Sequence, residues 1–183
     1  MLKELDRLPD GLLSLEANQL ASALGGPTLI HLQGRQSPAL FVSILMHGNE
    51  TTGWEAVRQL LQQYQAGGGV RELPRSLSLF IGNVDAAAEG LRRLDGQPDY
   101  NRVWPGGDDC DSPEAILMQQ VVDRMAERGL FASVDVHNNT GLNPHYACVN
   151  RLDHPFLHLA SLFSRTVVYF IRPTGVQSGA MAE

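Results

Sequence analysis

Short apolar segments alternate with amphipathic ones along most of this 183-residue chain, and few folds accommodate that alternation. Apolar runs bounded by turn residues predict strands at residues 28–32, 39–46, 76–81, 131–136, 146–149 and 166–171. Apolar residues spaced three and four apart predict helices at residues 12–24, 51–65, 113–128 and 154–163. Strands that alternate with helices favour an α/β sandwich around a mostly parallel or mixed sheet.

Residues at the ends of these segments refine the prediction. Ser14 is expected to cap the first helix, and Ser112 followed by Pro113 marks the start of the third. Residues 34–38, between the first two predicted strands, are typical of a hairpin or another tight connection. Residues 82–111 are rich in glycine, aspartate and proline, and so long a loop inside a compact domain is usually functional.

Composition excludes several classes of protein. Fourteen lysines and arginines against 20 aspartates and glutamates leave a net charge of −6, which argues against a nucleic-acid partner. The longest apolar run, residues 39–46, is far shorter than the roughly 20 residues that span a membrane. Acidic residues occupy the N-terminus where a signal peptide has its apolar centre, so we expect a cytoplasmic protein. Cys110 and Cys148 form no paired motif, and Cys148 is expected to pack as a small apolar side chain.

Three polar motifs are predicted at the ends of strands: HGNE at 47–50, DYNR at 99–102 and DVH at 135–137. Ligands of open α/β sheets bind at the carboxyl ends of strands, so the shared placement is informative. His47 and Glu50 are three residues apart, and one helical turn would direct both side chains to one point. With His137 they would form a set of three ligands that leaves a fourth position for water, as in catalytic zinc sites.

Each motif alone has a simpler explanation. His47 and Glu50 could belong to a solvated helix start, and His137 could be a hydrogen-bonded histidine at a strand end. Asp99, Asn101 and Arg102 could merely hold a long loop through turns and a surface ion pair. Together the motifs favour a metal site, because each supplies a different part of one mechanism.

These motifs also resemble a known family. HGNETTG, GNVDAAAEGLRRLDGQPDYNRVWPGG and DVHNNTG are similar, in that order, to motifs of the succinylglutamate desuccinylase/aspartoacylase family, a branch of the zinc carboxypeptidase clan. The resemblance runs from about residue 25 to the end. It implies a three-layer sandwich with a mixed central sheet and one Zn²⁺ held by His47, Glu50 and His137. It further implies that Asp99 orients the first zinc histidine, while Asn101 and Arg102 receive a substrate carboxylate.

Two features of the family's pattern stay open in this sequence. An arginine of the family stabilises the oxyanion formed when water attacks the substrate carbonyl, and Arg92 and Arg93 are both candidates for it. The family's catalytic glutamate comes in a later strand, beyond the segment that ends here at Glu183. We therefore expect residues 1–183 to be the N-terminal portion of a single catalytic domain; a natural protein that has lost the base is the alternative.

The function that the resemblance implies is a mononuclear zinc hydrolase that uses metal-activated water to cleave an amide bond next to a carboxylate. Its substrate would be a small carboxylate-bearing amide or peptide, as in N-acyl amino acid deacylases. One alternative is a metallocarboxypeptidase acting on peptides, and another is a non-catalytic module that binds zinc or carboxylates. The sequence leaves the exact substrate and the oligomeric state open.

Overall fold

A computed structural model of the chain describes residues 2–65, 72–139 and 141–181. Its main sheet has five strands in the order β1-β2-β4-β3-β5: β1 Lys3–Leu5, β2 Thr28–Leu32, β3 Ala39–Ile44, β4 Leu77–Ile81 and β5 Leu130–Asp135. β2 and β4 are antiparallel, and the other neighbours are parallel, so the sheet is mixed. A separate parallel pair is formed by β6, Ala147–Val149, and β7, Val167–Tyr169.

The helices lie in chain order between and after these strands. They are α1 Leu20–Leu24, α2 Thr52–Gln65, α3 Val84–Ala88, α4 Pro113–Arg128, α5 His154–Phe163 and α6 Gln177–Ala180. The Ser112 hydroxyl accepts the Ala115 backbone N–H at 3.1 Å, and Pro113 occupies the first turn of α4, as predicted. No helix in the described part of the chain is long and apolar enough to cross a bilayer.

Helices cover both faces of the main sheet. On one face Val42 and Leu79 pack with Trp54 and Leu61 of α2. The opposite face packs Phe41, Phe80 and other large side chains against Met118 and Val121 of α4. Because alternate residues of a strand point to opposite faces, strands buried on both faces are nearly continuously apolar. The predicted three-layer arrangement with a mixed central sheet is therefore observed.

The single continuous helix predicted at residues 12–24 is not observed. Residues 12–24 form two short 3₁₀ turns, Leu12–Ser14 and Ala17–Gln19, before α1. Glu16 and Gln19 form a capping box, which starts a new turn and interrupts the first. The Ser14 hydroxyl donates to the Gly11 carbonyl at 2.6 Å instead of capping a helix.

Of the two alternatives for residues 34–38, the tight connection is observed and the hairpin is not, because the two strands that it joins do not pair with each other. β4 lies between β2 and β3 and pairs with both. All five residues of β4 are buried, so its place at the centre of the sheet removes a largely apolar strand from solvent. Cys148 is exposed rather than packed in a core.

Candidate metal centre

His47 is placed by a sharp turn after β3. Leu45, which follows the last residue of β3, is fully buried and has a left-handed backbone with φ 54°, a conformation unfavourable for a non-glycine residue. Its carbonyl accepts the Asn83 backbone N–H at 2.7 Å, which holds the turn in place. The next turn is closed by the Glu50 backbone N–H, which donates to the His47 carbonyl at 3.0 Å. The two side chains consequently lie side by side at the carboxyl edge of the sheet.

Gly48, between them, has no room for a side chain. A Cβ there would lie 2.3 Å from the Ala87 backbone nitrogen, which is too close for two non-bonded atoms, and a backbone atom cannot easily move away. The Gly48 N–H donates to the Arg92 carbonyl at 3.0 Å. This close approach brings the loop that carries Arg92 against the turn that carries His47 and Glu50.

Glu50 bridges the two histidines. Its Oε1 lies 2.8 Å from His47 Nδ1, and its Oε2 lies 2.7 Å from His137 Nδ1. Oε2 also accepts the Asn138 backbone N–H at 3.0 Å. One potential ligand atom from each of the three residues lies within 4.8 Å of the other two, and within the described ranges no other set of histidine, cysteine and acidic residues meets that criterion.

The outer nitrogen of each ring meets a further carboxylate. His47 Nε2 lies 2.9 Å from Asp99 Oδ1, and His137 Nε2 lies 2.6 Å from Asp135 Oδ2. Asp99 also accepts the Asn101 backbone N–H at 2.9 Å. Metal-bound histidines usually donate their other ring N–H to such a carboxylate, which fixes the orientation of the ring.

The histidines and carboxylates of the centre shift one another's pKa values. Burial alone would raise the pKa of Glu50, but hydrogen bonds from His137 and His47 lower it to about 2. Burial alone would lower the pKa of His137, but Asp135 and Glu50 raise it to about 10. The pKa of His47 is likewise raised, because Asp99 and Glu50 outweigh its burial. Without a metal, the neighbouring carboxylates therefore favour the protonated form of both histidines.

This donor set fits a divalent metal ion. His47 and Glu50 are 4% and 8% exposed, so a bound ion would be largely shielded from water. Two imidazole nitrogens and a carboxylate converge, as in catalytic zinc sites, and each ring has a carboxylate behind it. The two Nδ1 atoms that face Glu50 are the nitrogens positioned to bind the ion.

Of the two candidate arginines, Arg92 lies at this centre. Its Nη2 is 3.0 Å from Asp99 Oδ2, and its Nη1 is 3.4 Å from Glu50 Oε1. About half of the Arg92 side chain is exposed, so it can also reach a bound molecule. Arg93 instead donates to the Gln97 carbonyl at 3.1 Å, within its own loop.

Asn101 adjoins the centre, and Arg102 lies beside it at the surface. The Asn101 side-chain nitrogen is 3.0 Å from His137 Nε2, and its side-chain oxygen accepts the Gln177 backbone N–H at 3.1 Å. The exposed guanidinium of Arg102 donates to the Asn101 carbonyl at 2.5 Å. The predicted pair of carboxylate-binding residues is thus at the rim, with Asn101 closer to the histidines.

Gly175 holds this loop from behind. Its carbonyl accepts the Trp104 backbone N–H at 3.1 Å, and its φ of 69° is left-handed. A Cβ at Gly175 would lie 2.2 Å from the Arg102 carbonyl oxygen. Only glycine allows this approach, so the segment around Gly175 fixes the position of Asn101 and Arg102.

Sequence reasoning missed Ser43 and Asp135. Both were visible as polar residues: Ser43 interrupts an apolar strand, and Asp135 precedes His137 by two residues, which places both on one face of an extended chain. Their contact with each other depends on the pairing of β3 with β5, which no local pattern reveals.

Comparisons with known proteins agree with the resemblance seen in the sequence. The family model of the succinylglutamate desuccinylase/aspartoacylase catalytic domain matches residues 36–177. Comparison with curated proteins finds no significant match.

Solved structures with the same fold include succinylglutamate desuccinylases and a metallo-carboxypeptidase. The desuccinylase from Vibrio parahaemolyticus is 16% identical with a TM-score of 0.65, over 81% of this chain and 55% of that chain. The desuccinylase from Chromobacterium violaceum is 23% identical with a TM-score of 0.62, over 82% and 50%. A metallo-carboxypeptidase from Burkholderia cenocepacia is 16% identical with a TM-score of 0.54, over 79% and 45%.

At these identities the similarities establish the fold, and the prediction of a zinc-carboxypeptidase-like α/β architecture is confirmed. The chain spans about half the length of these solved relatives.

Proposed function

The chain belongs to the succinylglutamate desuccinylase/aspartoacylase family, and from that membership we propose that it is the metal-binding part of a zinc-dependent hydrolase. The reaction would cleave an amide bond adjacent to a carboxylate, as an N-acyl amino acid deacylase does. The observation that carries this proposal is the convergence of His47, Glu50 and His137 on one point. A zinc ion bound there supplies Lewis acidity, which polarises a carbonyl oxygen and makes water acidic enough to act near neutral pH.

The cationic residues around the centre suit an anionic substrate. The protein carries a net charge of −6, and Glu50, Asp99 and Asp135 add negative charge at the centre itself. A substrate carboxylate therefore needs a local positive partner, and a guanidinium can hold it through two parallel hydrogen bonds. We assign this role to Arg102, together with the amide of Asn101.

Arg92 suits a different task. Its guanidinium lies against Glu50 and Asp99, next to the metal position, and about half of the side chain remains exposed. A positive group there would stabilise the negative charge that develops on the carbonyl oxygen during attack. We therefore prefer Arg92 to Arg93 as the oxyanion-stabilising arginine.

The proposed reaction also needs a general base. Glu50, Asp99 and Asp135 are each hydrogen-bonded to a histidine, so none of the three is free for that task. We propose that a glutamate outside this centre takes the role, as the resemblance to the family implies. A metallocarboxypeptidase activity on peptides is the second candidate, favoured by the structural similarity to the Burkholderia cenocepacia protein.

Metal analysis tests the proposal at its centre. Protein purified without chelator should contain nearly equimolar zinc, and His137→Ala should lose it. His158→Ala is the matched control, because this exposed histidine of α5 stacks on His154 and is not among the three converging residues. A folded wild-type protein that stays empty when zinc is supplied would contradict the metal site.

Activity then separates the two candidate reactions. Protein that includes any sequence following residue 183 should hydrolyse N-acyl amino acids faster than peptides of similar size. The reverse order would favour the carboxypeptidase, and zinc binding without turnover of either substrate would favour a non-catalytic binding module.

A further inference from the structure

Ser43 is a buried polar residue in an otherwise apolar strand. It is fully shielded from solvent, and Val42 and Ile44 on either side of it in the strand are buried apolar residues. A hydroxyl in such a place destabilises the fold unless it is hydrogen-bonded. Ser43 meets that need through Asp135, its partner in the register of β3 and β5: the hydroxyl donates to Asp135 Oδ1 at 2.6 Å.

Asp135, held by Ser43, in turn contacts the candidate metal ligand His137. Its second oxygen, Oδ2, lies 2.6 Å from His137 Nε2, and only 9% of its side chain is exposed. The opposite ring nitrogen of His137 faces Glu50 at 2.7 Å. A continuous set of hydrogen bonds thus connects the interior of the sheet with the proposed metal position.

We propose that Ser43 and Asp135 are positioning residues that hold the His137 ring with its Nδ1 directed at the metal. This inference rests on the proposed function, because it concerns how the same centre binds zinc.

The two histidines differ in their need for such support. The side chain of His47 is 5% exposed, so its burial already restricts rotation of the ring, whereas that of His137 is 27% exposed. An imidazole on a surface strand end can rotate about a broad χ2 torsion and present either face. A carboxylate held at one oxygen can rotate as well. The Ser43 hydroxyl removes that freedom from Asp135, and Asp135 then removes it from His137.

Zinc affinity of the intact protein, measured by competition with a chromophoric chelator, tests the inference. Asp135→Asn should weaken zinc binding by about 10- to 100-fold, the usual effect of losing a carboxylate behind a ligand histidine. Ser43→Ala should weaken it by about 2- to 10-fold, since Asp135 keeps its contact with His137 but loses its own anchor. Ser78→Ala is the control: Ser78 is also a buried sheet serine hydrogen-bonded to a histidine, His31, and should leave zinc affinity unchanged.

A second measurement does not depend on zinc. Proton NMR of the metal-free protein should show a slowly exchanging Nε2–H of His137, and its exchange should accelerate in Ser43→Ala and more so in Asp135→Asn. Unchanged exchange in both variants would overturn the inference, as would equal zinc affinities in wild-type and variant proteins. Loss of affinity in Ser78→Ala equal to that in Ser43→Ala would also overturn it. A wild-type protein that binds no zinc would instead contradict the proposed metal centre, and the NMR exchange would still decide the positioning role.

Discussion

Zinc binding to this protein should release protons, because the metal-free centre holds protons where the metal would bind. Ionised Glu50 can only accept hydrogen bonds, so the nitrogens facing it, Nδ1 of His47 and Nδ1 of His137, must each carry a proton. The outer nitrogens also face carboxylate oxygens, of Asp99 and Asp135. These carboxylates favour the protonated, imidazolium form of both rings, in agreement with the raised pKa values of the two histidines.

The magnitude follows from these protonation states. A metal ligand must be a neutral imidazole, so zinc should displace about one to two protons near pH 7: one from His137 and a further contribution from His47, whose pKa is raised. The pKa of His137 is about 10, so below that pH its proton opposes zinc and the apparent affinity should rise as pH rises. Glu50, with a pKa of about 2, is already ionised and contributes no proton in this range. The apparent Kd should fall by about 10- to 100-fold per unit between pH 6 and pH 8.

Isothermal titration calorimetry can count these protons. Zinc is titrated into metal-free protein in buffers of different ionisation enthalpy, and the dependence of the observed enthalpy on that quantity gives the number released. Asp135→Asn is the matched variant: it removes a charge that raises the pKa of His137, so its zinc affinity should depend less steeply on pH. Release of no protons at pH 7, together with a pH-independent Kd, would refute the reasoning.

Three further predictions address the surroundings of the centre. Asp99→Ala should weaken zinc by about 10- to 100-fold, because the outer nitrogen of His47 loses its carboxylate; unchanged affinity in a chelator competition would contradict this. In catalytically active protein, Arg102→Lys should impair turnover of carboxylate substrates far more than of analogues lacking the carboxylate, whereas equal losses would indicate a structural role. Gly175→Ala should lower the free energy of unfolding by more than about 2 kcal/mol, because the cost of a left-handed alanine and the cost of a clash with the Arg102 carbonyl are summed. Gly25→Ala, with φ 74° but open space around it, should cost only about 1–2 kcal/mol in the same denaturant titration, and equal costs would argue against the clash.

Local patterns in the sequence determined most of the secondary structure. The helix at residues 113–128 is observed with the predicted bounds, because a serine cap, a proline in the first turn and a regular apolar period all favour it. The strands near residues 39–46, 76–81 and 131–136 are observed within two residues of their predicted ends. His47, Glu50 and His137 could be selected together because each stands near a predicted strand end, where an α/β sheet collects its functional residues.

Tertiary structure alone decided which neighbours each element has. Strand order depends on pairing between distant segments, so the position of β4 between β2 and β3 has no local signal. The choice of Arg92 over Arg93 depends on how one loop folds against Gly48 and Asp99, because adjacent residues of a loop have similar sequence surroundings. The support of His137 by Ser43 through Asp135 depends on the pairing of β3 with β5, which brings together two residues 92 positions apart in sequence. Sequence patterns report on residues a few positions apart, whereas these contacts arise from the burial of whole strands and loops against one another.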